Sequence, residues 1–129
     1  MNLRTEPGPL RFQLFGSDGS NLRRISNRIE GSGHPAFDKT GRYIFTDAYP
    51  AEHVSRKDGF VPMRLIDTRK DQERTAAWMY TLGEGLAVLR LDPHPAWSRD
   101  GRKSCFNGAP NKRRQVFIAD LSSMMSDKT

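Results

Sequence analysis
The sequence predicts an all-β chain of β-propeller blades, about two four-stranded antiparallel sheets that leave the ring incomplete, and three observations carry the prediction. One stretch, His-Pro-Ala-aromatic followed by Gly-Arg and a strand, occurs twice. Short apolar runs are separated throughout by Gly, Asp and Asn turns. No segment has convincing helical periodicity.

The repeat is the strongest of the three. Residues 34–50 read HPAFDKTGRYIFTDAYP and residues 94–110 read HPAWSRDGRKSCFNGAP, at a constant offset of 60 with no gap. Six of the seventeen positions are identical, and Phe37 answers Trp97, Lys39 answers Arg99 and Asp47 answers Asn107. Internal repeats of this length mark stacked supersecondary units that cannot bury their apolar faces alone.

Each element follows from local chemistry. The chain opens with a strand at Phe12 to Phe15, a turn from Ser17 to Asn21 and a second strand from Leu22 to Ile25. Each repeat copy then reads as a hairpin. A short strand (Pro35 to Phe37, Pro95 to Trp97) meets a polar turn closed by Gly41 or Gly101, where positive φ costs a glycine nothing. A second strand follows, Arg42 to Asp47 and Arg102 to Asn107, and Tyr43-Ile44-Phe45 is apolar without alternation, as in a strand covered on both faces. A third strand comes at Met63 to Asp67 and at Gln115 to Asp120, and a fourth at Glu73 to Tyr80, where a helix over Glu73 to Leu82 is the alternative. The period exceeds the usual roughly 40–45 residues of a blade. The excess falls in loops at Ala48 to Val61 and Gly83 to Asp92.

Residues 1–129 therefore form one partial propeller unit: the outer hairpin of a blade (11–27), a full blade (33–82) and three strands of the next (91–121). Propellers close with about 4–8 blades. This set is a fragment, or it completes a ring by self-association with other copies.

Composition bounds the function. The net charge of +6 points toward polyanionic company or toward plain solvated loops. The cations are scattered beside turns, with no basic helix and no interleaving with aromatics, which argues against nucleic acid. No apolar run has the length of a membrane span. The N-terminus MNLRTEPGP lacks the apolar core of a secretory signal, which leaves the compartment open between bacterial cytoplasm and periplasm. Cys105 is the one cysteine, so an intrachain disulfide is excluded, and its place in a strand predicts a small buried hydrophobe. Nucleophile elbows, phosphate-binding glycine loops, zinc-spaced cysteines and His-Glu-x-x-His are all missing.

The two phrases HPAFDKTGRYIF and HPAWSRDGRKSCF, each followed by a strand ending in Asp (Leu65-Ile66-Asp67, Ile118-Ala119-Asp120), resemble the repeats of the TolB-like propeller superfamily. Within it, Gly33-His34-Pro35 with Thr46-Asp47-Ala48-Tyr49-Pro50 looks closest to the group of oligogalacturonate lyases. That resemblance implies a rim of the central channel where His34 and His94 project from neighbouring blades. It also implies a divalent metal, manganese in those lyases, that acts as Lewis acid in β-elimination on acidic oligosaccharides. His94 is the first metal candidate, because His-x-x-Trp-x-x-Asp-Gly matches the pattern at both ends. His34 is second, since Asp38 and Thr40 replace the usual Ser and Asp.

Asp47, Tyr49 and His53 are candidates for a sugar site, with Arg56 as a partner for uronate carboxylates and Asn107 at the Asp47 position of the second copy. A second role stays open for these residues. In a non-enzymatic interaction propeller the histidines hydrogen-bond between blades, Asp100 ties its turn, and Tyr43, Phe45, Trp97 and Phe106 form the core between blades.

Overall fold
The computed structural model describes residues 1–4, 7–81 and 91–125. They form three antiparallel sheets. The first is β1 (Asn2–Leu3), β2 (Arg11–Leu14) and β3 (Arg23–Arg24); the second is β4 (Ala36–Phe37), β5 (Tyr43–Thr46), β6 (Phe60–Asp67) and β7 (Gln72–Tyr80). The third is β8 (Ala96–Trp97), β9 (Lys103–Gly108) and β10 (Gln115–Asp120), followed by one helical turn, α1 (Ser122–Met125). Glu73 to Tyr80 is strand, so the helical alternative does not form, and Leu82 and most of the Gly83 to Asp92 loop lie outside the described residues.

Alternation on β5 and β6 decides which neighbour each residue meets. Ile44 and Ile66, paired across the strands, pack with Phe12 and Ile29 of the first sheet region. Tyr43, Phe45, Met63 and Leu65 point the other way, into a cluster with Met79, Phe106 and Leu121. Trp97 and Phe117 close that cluster, with Phe45 edge-on to Trp97 and Phe106 at 6.0 and 6.1 Å. The unbroken apolar run on β5 is thus buried on both faces, and the four expected aromatics do lie between sheets. Each fully buried Phe or Leu contributes about 1.5–3 kcal/mol relative to exposure.

The two hairpin turns keep one geometry with exchanged chemistry. Gly41 and Gly101 have φ of 70° and 71°. In the first copy Asp38 accepts hydrogen bonds from the Thr40 hydroxyl at 2.6 Å and from the amides of Thr40, Arg42 and Tyr43. In the second, Ser98 donates to Asp100 at 2.6 Å, Asp100 accepts the Arg102 amide, and the Ser98 hydroxyl accepts the Lys103 amide. The carboxylate has moved two residues while the network persists, so the Asp38 and Thr40 departures are a swap that preserves the turn.

Three sequence expectations need correction. β6 begins at Phe60, inside the segment expected to be loop, and includes Pro62. Proline is tolerated there because β5 pairs only Arg64 to Asp67, leaving Pro62 with β7 alone as partner. Asn2–Leu3 pairs with Arg11 and Phe12 and adds a strand that its two residues could not announce. Cys105 is exposed, not buried. It alternates with buried Ser104 and Phe106, so its side of β9 faces away from the second sheet.

Candidate functional site
Each repeat copy begins with its histidine, and the loop into β4 and the loop into β8 bring the two together. The imidazoles of His34 and His94 stack with ring centroids 3.5 Å apart and planes 21° from parallel. Beneath them lies Asp47, at the end of β5 and fully buried. One of its oxygens accepts the His34 amide at 2.6 Å, the other accepts the His94 amide at 3.1 Å. The carboxylate also faces His34 Nδ1 at 3.0 Å. A carboxylate accepts only, so Nδ1 is the donor, and in the neutral imidazole Nε2 is left with its lone pair.

The bond from Asp47 to His94 explains a strained residue. His94 has φ of 48°, a left-handed conformation costing a non-glycine residue about 1–2 kcal/mol. In the first copy the positive φ falls one residue earlier, on Gly33 at 77°. Pro93 stands at the Gly33 position, and a proline ring locks φ near −65°, so the reversal passes to His94. Gly33 is itself required, because a Cβ there would collide with the Asp47 backbone and carboxylate.

Asp92 completes the cluster. It offers an oxygen which, with a nitrogen from each histidine, makes a set of three ligand atoms all within 4.8 Å of one another. Sequence reading passed over Asp92, although a signal was present. Sixty residues earlier the chain has Ser32, a fully buried residue whose hydroxyl accepts the Tyr49 amide. The replacement of Ser by Asp two residues before the second histidine marks a departure from the repeat.

The remaining candidates fall in different places. Tyr49 sets its ring edge against His34, with centroids 5.4 Å apart. His53 is solvent-exposed, 3.6 Å from Glu30, and with Arg56 lines an open cleft of about 420 Å³ in the same loop. Arg56 is paired with Asp58 at 2.5 Å and lies over the Phe60 and Trp78 rings. Asn107 donates its backbone N–H to the Pro93 carbonyl at 2.8 Å. It also lines an open depression of about 300 Å³ with Asp92, Arg114 and Gln115. Asp47 and Tyr49 therefore lie with the histidines, Asn107 adjoins them through Asp92 and Pro93, and His53 and Arg56 occupy the neighbouring cleft.

No protein-family model matches the chain, and no curated protein matches its sequence. Among solved structures the chain is similar to TolB from Acinetobacter baumannii, with a TM-score of 0.64 at 17% identity. The similarity covers 88% of this chain and 25% of TolB, so the chain spans about a quarter of that protein's length. At this identity the likeness is one of fold, and the three sheets have the fold of a TolB-like β-propeller fragment.

Proposed function
We propose that His34, His94 and Asp92 hold a divalent cation at the propeller rim and that the ring uses it to bind an acidic sugar. The observation that carries this reading is the set of two imidazoles and one carboxylate within 4.8 Å, drawn from two consecutive repeats. Two nitrogens and one oxygen suit manganese or zinc among the divalent ions. Asp47 supports the set as an outer carboxylate, fixing the His34 tautomer that leaves Nε2 to ligate. The depression beside Asp92 offers Asn107 and Arg114 to a uronate, whose carboxylate suits a guanidinium. A cation there supplies Lewis acidity toward that carboxylate, the requirement for loosening the adjacent proton in a β-elimination of oligogalacturonate type.

A second reading has its own observation. Asp47 joins the amides of His34 and His94 from two successive sheets, so the histidines also suit a purely structural tie in a protein-interaction propeller. Calorimetric titration with manganese separates the two. Binding with one site per chain, lost in both His94→Ala and Asp92→Ala, supports the metal reading. Heat changes indistinguishable from dilution would remove it and leave the scaffold.

A further inference from the structure
The repeat relates the two outward faces of the second and third sheets residue by residue. Phe45 pairs across β5 and β6 with Leu65, and Met63 stands two residues before Leu65; all three are buried against the third sheet. Sixty residues after Phe45 comes Cys105, which pairs with Ile118, and Val116 stands two residues before Ile118. The positions that form a buried seam in the second sheet are bare in the third: Cys105 is exposed, Val116 is 70% exposed and Ile118 72%. At the edge of the face Lys103 and Asp120 stand opposite each other in the β9–β10 register, so charges of opposite sign are neighbours there. Such a face can be buried without desolvating a lone ion.

The first sheet carries an arginine that behaves like one in the internal seam. Among the described residues three buried side-chain polar atoms lack a hydrogen-bond partner: Asn2 Oδ1 in β1, Arg11 Nη1 in β2 and Arg64 Nη1 in β6. Arg11 alternates with Phe12, whose ring faces the second sheet, so Arg11 sits on the opposite side of β2. The sequences Arg11-Phe12-Gln13-Leu14 and Arg64-Leu65-Ile66-Asp67 place Arg11 where the second sheet has Arg64. Arg64 is the residue that reaches back across a seam, donating to the Glu30 carbonyl and lying over the Phe12 ring at 5.8 Å.

We infer that the Cys105–Val116–Ile118 face docks the first sheet of a second copy of this chain, head to tail, with Arg11 reaching across the new seam as Arg64 does across the internal one. Every internal seam pairs opposite faces of successive sheets, so the arrangement repeats an interface the chain already builds. The three sheets of the described residues, taken twice, supply six, inside the range of about 4–8 blades that closes a ring.

Sedimentation across a concentration series, together with the rate at which a disulfide reagent modifies Cys105, tests this. The expected result is twice the 14.7 kDa chain mass, with Cys105 modified at least about tenfold more slowly in the assembled form. Ile118→Lys and Arg11→Glu, both with unchanged β-sheet circular dichroism, should each shift the assembly toward monomer. A chain that stays monomeric at all concentrations with freely reactive Cys105 overturns the inference. So does a dimer broken by Ile118→Lys and indifferent to Arg11→Glu, which is a face-to-face pairing.

Discussion

Replacing Asp47 measures what holds the two histidines in place. Its carboxylate accepts two backbone amides and the His34 ring N–H, from two different sheets. Hydrogen bonds to a charged acceptor contribute about 1.5–3 kcal/mol each, and a buried donor left unpaired costs about 1–3 kcal/mol. The full sum overstates the loss in Asp47→Ala. The His34 side chain is 29% exposed and His94 lies at the surface, so water recovers part of each bond. A loss of about 3 kcal/mol follows, and at roughly 3–5 °C per kcal/mol for a chain of this size the melting midpoint falls by about 10 °C. Asp47→Asn keeps one acceptor and turns its amide toward the other donor, so about half of that loss is expected. Asn107→Ala is the internal control, since its side chain makes only a marginal 3.5 Å contact with the Pro93 carbonyl. That change should cost under about 1 kcal/mol. Thermal unfolding followed by circular dichroism decides the matter. Equal small shifts for Asp47→Ala and Asn107→Ala would refute the argument, because the sheets alone would then be placing the histidines.

Two further predictions probe the frame around the site. Gly41→Ala meets open space at φ of 70° and should cost only the left-handed conformation, about 1–2 kcal/mol. Gly33→Ala at φ of 77° also drives a Cβ into Asp47 and should cost at least about 2 kcal/mol more; equal midpoints for the two variants would discount the close approach. Acid stability should follow Asp38 and Asp67. Burial pushes Asp38 up, but hydrogen bonds from Thr40, Tyr43 and Arg42 outweigh it, and Arg42 holds Asp67 down against a smaller burial effect. Both therefore ionise more readily folded than unfolded. Their contribution is complete above the unfolded value of 3.8 and is lost as pH falls below it through the folded values. The melting midpoint should decline below about pH 4, with a shallower decline in the Asp38→Asn/Asp67→Asn variant. An identical slope in that variant would assign acid unfolding to other carboxylates.

The fold was legible because the repeat states one requirement twice. Gly41 and Gly101 both take positive φ, and Tyr43-Ile44-Phe45 announces a strand with neighbours on both sides. Cys105 shows where this reasoning stops. Its burial depends on a sheet that would pack against β9, and strand membership says nothing about whether that sheet is present. The early start of β6 was hidden by Pro62, whose missing N–H is harmless only because β5 ends beforehand. At the site, the convergence of His34 and His94 follows from their equivalent places in adjacent repeats. Asp92 does not, since the aligned stretch begins at the histidine and the substitution of Ser32 lies two residues outside it. The positions of His53 and Arg56 depend on how a long loop settles, and no periodicity encodes that.

The stacked rings provide the sharpest distinction between the two functional readings. An imidazole ligates through a lone pair lying in its own plane. Planes 21° apart, with centroids separated by 3.5 Å, do not direct both lone pairs at one point, so at least one ring must turn when a cation is held. His34 is anchored at Nδ1 by buried Asp47, whereas His94 is solvent-exposed. The turning ring is therefore His94, and its left-handed backbone, held by the Asp47 bond to its amide, remains in place. Nuclear magnetic resonance with zinc, which is diamagnetic, should show large shifts of the His94 ring protons, loss of ring-to-ring contacts between His34 and His94, and an unchanged Nδ1-protonated His34. Rings that stay stacked at saturating zinc would mean that the pair serves the blade junction alone.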